Sequence, residues 1–226
     1  MTKKRAPNVS LGDVAYRAIR EAIASSAMKP GDRLSEYMVA DWLKISRTPA
    51  REGLRRLESE GLLTSHPRRG LVVAALDESA VHELYAAREI LESTVAGLAA
   101  RFATDAEISS LQHMVDIEAE LAATPERMFE HNLAFHRLVA QAARNRYLAK
   151  FLQGIADTLS THRRVSTLVN PKRRAEVLRE HKALVDAIAR HDEEGARKAA
   201  LGHIQGALRA RLVVERTAAA ATEAAA

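Results

Sequence analysis

The sequence predicts a mainly α-helical protein in two parts, the first of which ends in a short β-hairpin. Along most of the chain, apolar residues recur at spacings of three and four, the period of an amphipathic helix. Strand-like apolar runs are confined to residues 62–73, where they flank a turn. An aromatic content of 4% and only 10 glycines argue against a β-barrel, a β-sandwich or a glycine-rich nucleotide-binding fold.

Three helices are predicted in the first part. The first begins after Ser10 and ends before Pro30, and the second spans residues 35–43. A tight break at residues 44–45 separates the second helix from the third, which begins at Ser46. Helices joined by so tight a turn form a helix-turn-helix.

The third helix has a capped start and an apolar face. Ser46 is a good N-cap, and Pro49 is tolerated because first-turn amides have no intrahelical partner. Leu54 and Leu57 are predicted to point into the core, and Gly61 ends the helix. Two apolar runs then flank a basic tip at residues 65–70, which predicts a hairpin and completes a winged helix-turn-helix.

Beyond residue 77 the strand signals disappear, and six helices are predicted, forming an all-α antiparallel bundle. Capping residues and first-turn prolines mark the six starts: Asp77, the capping box Thr104 and Glu107, Thr124–Pro125, Asn145, Asn170–Pro171 and Asp192. The predicted boundaries are a disordered tail at 1–9, the winged helix at 10–74, a linker and helix start at 75–79, an effector-binding and dimerisation domain at 80–216 and a low-complexity tail at 217–226.

Charge also separates the two parts. Residues 1–76 hold 14 Lys and Arg against 8 Asp and Glu, a net charge of +6, whereas residues 77–226 hold 20 against 21, a net charge of −1. The basic excess therefore lies entirely in the first part, which predicts a polyanion-binding segment joined to an ordinary globular domain.

The absence of cysteine excludes disulfides, thiolate nucleophiles and cysteine metal sites, and it fits a reducing compartment. No stretch approaches the roughly 18 apolar residues of a membrane span, and the N-terminus lacks the apolar core of a signal peptide. These features predict a cytoplasmic protein with no membrane partner.

The third helix is predicted to enter the major groove of double-stranded DNA, where the N-terminal residues of such a helix reach base edges and phosphates. Arginine pairs with guanine, and hydroxyl groups hold phosphates. The predicted contacts are Ser46, Arg47, Thr48, Arg51 and Arg55 on the helix, with Arg68 and Arg69 on the wing. The alternative is a solvated, arginine-rich surface helix without a nucleic-acid role.

The run PGDRLSEYMVADWLKISRTPAREGLRRLESEGLL, followed by HPRRGLVV, resembles the N-terminal domain of GntR-type bacterial transcription regulators. The helical remainder resembles the FCD-type effector domain of the FadR subfamily, in its six-helix, VanR-like group. The resemblance implies DNA contacts at Ser46, Arg47, Thr48 and Arg51 and places Gly70 in the wing.

Two positions depart from the family pattern. Gly53 stands where the family usually has Ala, and it is expected to soften the helix by up to about 1 kcal/mol. Tyr37 stands where some members place a DNA-contacting Arg. The preference of this protein for the DNA base that such an Arg contacts is therefore open. We place Tyr37 on the surface and Trp42 in the core.

Arg88 lies in the middle of an apolar stripe on the first helix of the second part, and a charge there requires a partner. The stripe consists of Val81, Leu84, Tyr85, Leu91, Val95, Leu98 and Phe102. One interpretation is a structural ion pair with a core carboxylate. The other is a clamp for the carboxylate of a ligand, which the resemblance favours because FadR-type domains often place such an Arg in the effector cavity.

Three histidines also fall on inward faces. His136 shares a stripe with Asn132, one turn away. His181 and His203 each lie 11 residues from Asp192, where the last two helices are predicted to turn, so they should lie level with each other. Convergent imidazoles suit Zn, Ni, Co or Mn.

The resemblance supports a metal site, because many FadR-type domains bind a divalent metal through one Asp and three His. His136, His181 and His203 match the histidines, whereas Asn132 stands at the Asp position. An amide oxygen can coordinate a metal but carries no charge, so we expect weakened affinity for Zn, Ni or Mn. Of the remaining histidines, His162 is placed at the rim of the pocket and the others are treated as incidental.

These features predict a homodimeric, ligand-responsive transcription regulator rather than an enzyme. A small organic acid bridging Arg88 and the histidine cluster would change the separation of two winged helices and so the affinity for a DNA operator, a coupling commonly worth about 1–3 kcal/mol. Repression relieved by the acid is the expected direction.

Three alternatives remain open at this point. In a metal-sensing repressor the ion itself is the signal. A metal-dependent hydrolase also uses three histidines around an open metal position, but no carboxylate shares the inward stripes as a general base, and Glu180 points about 100° away from His181. A constitutive architectural DNA binder leaves Arg88 and the histidines unexplained.

Overall fold

The computed structural model describes residues 10–25, 27–74, 78–121, 124–161 and 167–223. The chain divides into two units, Met1–Leu76 with Asp157–Arg164 and Asp77–Ala156 with Val165–Ala226. The predicted N-terminal tail, most of the predicted linker, the helix start at Asp77 and His162 lie outside the described residues.

The first unit has the predicted order of three helices and a hairpin, with one additional strand. Its elements are α1 (Leu11–Ala24), β1 (Arg33–Leu34), α2 (Glu36–Leu43), α3 (Arg47–Ser59), β2 (Leu63–His66) and β3 (Gly70–Val73). Ser10 and Ser35 cap α1 and α2 by accepting hydrogen bonds from first-turn amides. Lys44, in a left-handed conformation at φ 53°, ends α2 and makes the tight turn.

The three strands form an antiparallel sheet in the order β1-β3-β2. Leu63 pairs with Val73 and His66 pairs with Gly70, so the wing turns over residues 67–69 and its tip is shorter than predicted. Strand β1 was not predicted, because two residues are too few to show an alternating pattern.

The core of the first unit lies mainly between α1 and α3. Ala15 and Ile19 of α1 and Leu54 and Leu57 of α3 are buried, the last two as predicted. Gly53 allows the close approach, since a Cβ atom there would lie 2.9 Å from the Ala15 Cβ atom and from a backbone nitrogen of α1.

The placement of Trp42 in the core was wrong, because its side chain is 47% exposed. Helix α2 is short and buries only Val39 and Ala40. Trp42 instead lines an open groove beside Met38 and Val39, so part of the indole faces solvent. Tyr37 is exposed, as predicted.

The second unit contains the six predicted helices and one short 3₁₀ helix, which confirms the fold class. The helices are α4 (Glu78–Phe102), α5 (Asp105–Leu121), α6 (Pro125–Ala142), α7 (Arg146–Thr161), α8 (Pro171–Ala189) and α9 (Glu193–Glu223), with the 3₁₀ helix at Thr167–Val169. Helix α9 extends through most of the segment that the sequence assigns to a low-complexity tail. Within the described residues, no helix is long and apolar enough to cross a membrane.

The core of the second unit is formed where α4, α6 and α8 meet α5 and α9. Leu111, Phe135 and Ile188 are fully buried there, and small residues of α9 such as Ala196 allow close packing. Phe102 was expected on the buried stripe of α4 but is half-exposed, because it is the last residue of the helix. The polar groups described next lie against this core.

Candidate DNA-binding surface and candidate metal centre

Helix α3 presents its N-terminal residues to solvent. Ser46 is the N-cap residue, but its side chain makes no capping hydrogen bond. Arg47, Thr48, Arg51 and Arg55 are all exposed. The buried side of the helix and the exposed arginines therefore lie on separate faces, as a helix that enters a DNA groove requires.

Glu36 of α2 pairs with Arg47 across the turn, with 3.3 Å between the guanidinium and carboxylate atoms. Within the described part of the chain, Arg51 and Arg55 form no ion pair. Sequence reasoning missed Glu36, because an acidic residue in the first turn of a helix is ordinary.

The wing carries a second basic group. Arg68 and Arg69 occupy the exposed turn between β2 and β3, and Gly70 follows at φ 72°, a conformation that favours glycine. The ring of His66 accepts a hydrogen bond from the backbone N–H of Arg68, which tightens the turn. Gly70 therefore shapes the wing through its backbone and adds no charge.

Arg88 is buried, and its partner is a carboxylate of its own helix. The Arg88 Nε atom donates to Glu92 at 2.7 Å, and the guanidinium lies 4.9 Å from the centre of the Tyr85 ring. Of the two interpretations of Arg88, the structure thus shows the ion pair with a core carboxylate. Sequence reasoning did not identify Glu92, although it lies one turn after Arg88.

Glu92 also contacts the histidines, with its second oxygen 2.9 Å from His136 Nδ1. Burial alone would raise the pKa of Glu92, but Arg88 and His136 together hold that pKa well below its usual range. The carboxylate therefore stays ionised inside the bundle and links the arginine to the imidazole.

His136, His181 and His203 come together from α6, α8 and α9. Each of the three offers a ring nitrogen, and these atoms all lie within 4.8 Å of one another. The rings of His181 and His203 are 4.8 Å apart, as their equal distances from the turn predicted. This spacing would let one small cation reach all three rings.

Each of these imidazoles is paired with a different carboxylate through Nδ1. The pairs are His136 with Glu92 at 2.9 Å, His181 with Glu118 at 3.0 Å and His203 with Glu180 at 2.7 Å. The expectation that no carboxylate shares the inward faces with the histidines was therefore wrong, because Glu92 and Glu118 are buried beside His136 and His181. The Glu180 side chain reaches His203 on the neighbouring helix, and Glu118 comes from α5, whose rotation periodicity did not determine.

In two of the three rings, the opposite nitrogen is buried without a hydrogen-bond partner in the described part of the chain. Nε2 of His136 and Nε2 of His181 are buried and make no hydrogen bond with the described residues. Burial lowers the pKa of His181 more than Glu118 raises it, and burial together with the neighbouring histidines lowers the pKa of His203 well below its ordinary value. These two imidazoles are consequently neutral near pH 7, the form that binds metal.

The donor set fits a divalent metal. A histidine ligand usually gives its second ring nitrogen to a carboxylate, which fixes the ring orientation and raises its basicity. All three rings have this arrangement, and burying an unpaired nitrogen costs roughly 1–3 kcal/mol. The gap beside Glu92, His136 and His203 measures only about 10 Å³, about the volume of one water probe.

Asn132 lies one turn before His136 on α6 and is half-buried. Its side chain forms no hydrogen bond with the described residues, and it does not line the gap beside the histidines. The predicted role of Asn132 as a fourth metal ligand stays a prediction.

Arg173 supports the cluster from outside. Its guanidinium donates two hydrogen bonds of 2.7 Å to Glu180 and one of 3.3 Å to the backbone oxygen of His203. A Cβ atom at Gly206 would lie 2.9 Å from Arg173, so glycine at that position leaves room for the guanidinium. Sequence reasoning missed Arg173, because the run KRR at the start of α8 is typical of a solvated surface.

Each of the two units matches a known protein family. The FCD domain matches residues 83–206, more than half of the chain, and the family of bacterial regulatory proteins named gntR matches residues 11–73. The Nta operon transcriptional regulator of Aminobacter aminovorans is 30% identical over 180 residues, covering 78% of this chain and 83% of that protein.

A second relative and a solved structure each cover most of the chain. The HTH-type transcriptional repressor RspR of Escherichia coli is 27% identical over 203 residues, or 88% of each protein. The solved structure of E. coli McbR/YncC aligns with a TM-score of 0.72 at 22% identity, covering 92% of this chain and 99% of that one. At this identity the structural likeness supports the fold alone.

Proposed function

The chain belongs to the gntR family of bacterial regulatory proteins and carries an FCD domain, and from this premise we propose that its helical unit senses a small organic acid together with a divalent metal. The chain is a DNA-binding transcription regulator, as its family and relatives are. The hydrolase alternative is not carried further, because this family consists of regulators.

The DNA contacts are proposed on α3 and the wing. The exposed arginines of α3 support this assignment, with Arg51 unpaired among the described residues. Arg51→Ala is expected to reduce affinity for a selected duplex by about tenfold or more, since a bidentate contact to a base is worth roughly 1–3 kcal/mol. Arg179→Ala, which removes an exposed arginine of α8, serves as the control. Unchanged affinity in Arg51→Ala would overturn the assignment.

A divalent ion, Zn, Ni or Mn, is proposed to bind His136, His181 and His203. The single observation that carries this proposal is the set of three imidazoles, each held by a carboxylate through Nδ1. When bound, such an ion can accept the carboxylate of an acid as a further ligand. The carboxylates orient the three rings, and burial keeps His181 and His203 neutral.

Metal titration tests this site directly. Chelator-treated protein should bind one equivalent of Zn, Ni or Mn in calorimetry, and His181→Gln should lose that binding. Asn132→Asp is expected to raise metal affinity by about tenfold, because it restores a charged oxygen one turn from His136. Unchanged affinity would mean that Asn132 faces away from the ion.

The proposed effector is a small acid whose carboxylate exchanges with Glu92 at Arg88. Repression relieved by this acid is the proposed direction, supported by the name of the relative RspR, a transcriptional repressor. Arg88→Ala is expected to keep DNA binding and lose the response to acid in a thermal-shift screen. Arg88→Lys keeps a cation beside Glu92 and controls for loss of folding.

One observation favours the metal-sensing alternative. Arg88 is already paired with Glu92, and the gap beside the histidines has room for an ion but not for an organic acid. In that alternative, metal alone changes the affinity for DNA. Titrating DNA affinity with Zn, Ni or Mn, in the absence of any acid, separates the two mechanisms.

A homodimer acting in the cytoplasm is proposed, because an operator with two half-sites requires two winged helices. Large apolar side chains exposed on α4 and α7 support a further interface, with Ile90 69%, Tyr147 72% and Phe151 63% exposed. Light scattering of the wild type and of Phe151→Glu tests the assembly, and a monomeric wild type would overturn it.

A further inference from the structure

We propose that a cavity at the start of α8, separate from the histidine cluster, binds a small organic acid. The cavity has a volume of about 370 Å³ and lies between the beginning of α8, the 3₁₀ helix and the second half of α9. Ligand pockets typically begin at about 300 Å³, so this cavity has room for a small molecule. The inference goes beyond the proposed function and does not require a bound metal.

The cavity has a surplus of positive charge. Lys172 and Arg209 line it, are exposed and form no ion pair with the described residues. The acidic residues of the same wall, Glu176 and Glu180, are already paired with Arg173 at 3.3 and 2.7 Å. Two cations are therefore left for an anion from solution.

Arg173 lines the same cavity and has an unsatisfied donor behind its wall. Its side chain is 3% exposed, and its Nε atom makes no hydrogen bond with the described residues. A buried guanidinium N–H without an acceptor is costly, and an anionic oxygen is its best acceptor. Because Nε is closed off from solvent, an anion in the cavity would reach it only after the guanidinium shifts away from Glu180.

The backbone at the start of α8 also favours an anion in the cavity. Asn170, the N-cap of the 19-residue helix α8, lines the cavity together with the first residues of the helix. The N-terminal end of a helix carries a partial positive charge and favours negative ligands. Lys172, Arg209 and the helix end thus all favour an anion in the same cavity.

Part of the lining on α9 is apolar, which selects an organic acid over an inorganic anion. Ala210, Val213 and Val214 form this part, and Val213 is largely exposed. A carboxylate beside Arg209 would allow a short hydrocarbon chain to cover these side chains. Such burial yields roughly 25 cal/mol per Å², which a phosphate ion cannot obtain.

The cavity is also connected to the histidine cluster. Arg173 holds Glu180, and Glu180 in turn holds Nδ1 of His203 at 2.7 Å. A carboxylate at Arg173 would compete with Glu180 and weaken its hold on His203. On the proposed metal site, acid and metal would therefore alter each other's affinity by the same factor.

Calorimetry of the full-length, chelator-treated protein with succinate tests the cavity without metal. Succinate is expected to bind, and Arg209→Gln should weaken that binding by about tenfold or more, because it removes a charge-assisted hydrogen bond. Ala210→Phe should abolish binding by filling the cavity. Arg179→Gln, which removes an exposed cation of α8 outside the cavity, should bind succinate as the wild type does.

Three results would overturn the proposal. They are the absence of succinate binding, wild-type affinity in both Arg209→Gln and Ala210→Phe, and inorganic phosphate binding as tightly as succinate. Circular dichroism of each variant shows that the fold is retained. Because the titration excludes metal, failure of the metal site leaves its outcome unaffected.

Discussion

Arg47 is already paired with an acidic side chain on the surface proposed to meet DNA. Glu36 lies 3.3 Å from its guanidinium, and both side chains are accessible to solvent. An approaching phosphate or guanine must compete with this carboxylate. Glu36 therefore lowers the affinity of α3 for any polyanion.

Glu36→Gln is expected to raise DNA affinity by up to about fivefold, because an exposed ion pair is worth roughly 0–1 kcal/mol. The gain should shrink as salt increases, since exposed charges are screened. Fluorescence anisotropy with a labelled duplex measures both effects, and Glu58→Gln near the end of α3 is the matched control. Equal or weaker binding by Glu36→Gln would contradict this role.

Single residues were predictable from the sequence where one helix face determined their position. The stripe on α6 and the distances from Asp192 were enough to expect His136, His181 and His203 together. Their carboxylate partners were not predictable, since Glu118 lies 63 positions from His181 and meets it only through the packing of α5 against α8. The prediction that Trp42 lies in the core was wrong for a related reason. The local sequence of a short helix does not show how much of its surface is buried.

At the scale of elements, the contact between α1 and α3 depends on Gly53. The sequence gives this glycine as a weakness of α3, worth up to about 1 kcal/mol. The structure gives its reason, because a Cβ atom would lie 2.9 Å from the backbone of α1. Backbone cannot move aside as a flexible side chain can.

Gly53→Ala is therefore expected to destabilise the first unit despite the better helix propensity of Ala. Overpacking typically costs about 1–3 kcal/mol, which exceeds the propensity gain. Gly202→Ala on α9 is the matched control, since nothing lies within 4 Å of its added Cβ atom, and it should stabilise by roughly 0.5–1 kcal/mol. Urea unfolding measures both, and stabilisation by Gly53→Ala would refute the argument.

An ionised side chain at the start of α5 makes the stability of the fold depend on pH. The backbone N–H of Thr104, its hydroxyl and Arg144 lower the pKa of Glu107 below its ordinary value near 4.5. A lowered carboxyl pKa stabilises the fold above the unfolded-state pKa, and this contribution is lost as pH falls through the folded-state pKa.

Glu107→Gln should accordingly be less stable than the wild type at pH 7, and the difference should shrink as the pH falls below the ordinary carboxyl pKa and through the lowered pKa of Glu107. Urea unfolding at several pH values, followed by circular dichroism, measures this trend. Glu120→Gln, an exposed position on the same helix, is the control. A difference that persists unchanged at low pH would show that the charge of Glu107 is not its cause.

Elements with strong end signals were predictable, including all six helices of the second unit. The predicted cap at Ser46 makes no side-chain capping hydrogen bond, whereas Ser10 and Ser35 do. Strand β1 was not predictable, because it exists only through its pairing with β3. The extension of α9 to Glu223 also exceeds what a low-complexity composition indicates.

At the scale of the whole molecule, a metal ion should stabilise the two units unequally. All three histidines belong to the second unit, whereas Trp42, the single tryptophan, belongs to the first. At 100 times its dissociation constant, a ligand stabilises by about 2.7 kcal/mol. The circular dichroism melting temperature should rise by roughly 5–10 °C, a size typical for a domain of this length.

In the same melts, the transition followed by Trp42 fluorescence should shift to higher temperature by less than the transition followed by circular dichroism. His203→Gln removes one ring of the cluster and should abolish the metal-induced shift. An unshifted circular dichroism transition in wild-type protein would contradict metal binding at the cluster.

The burial of the Nε2 nitrogens affects the rate at which a metal ion would exchange, rather than the affinity of the site. Because Nε2 of His136 and Nε2 of His181 are closed off from solvent, a metal ion bound there would leave when the packing around these nitrogens opens. Its release would then proceed at the rate at which the bundle opens, whatever the concentration of competing chelator. Such a regulator would respond to the metal concentration averaged over the lifetime of its closed state. Shorter changes in metal concentration would not alter its occupancy.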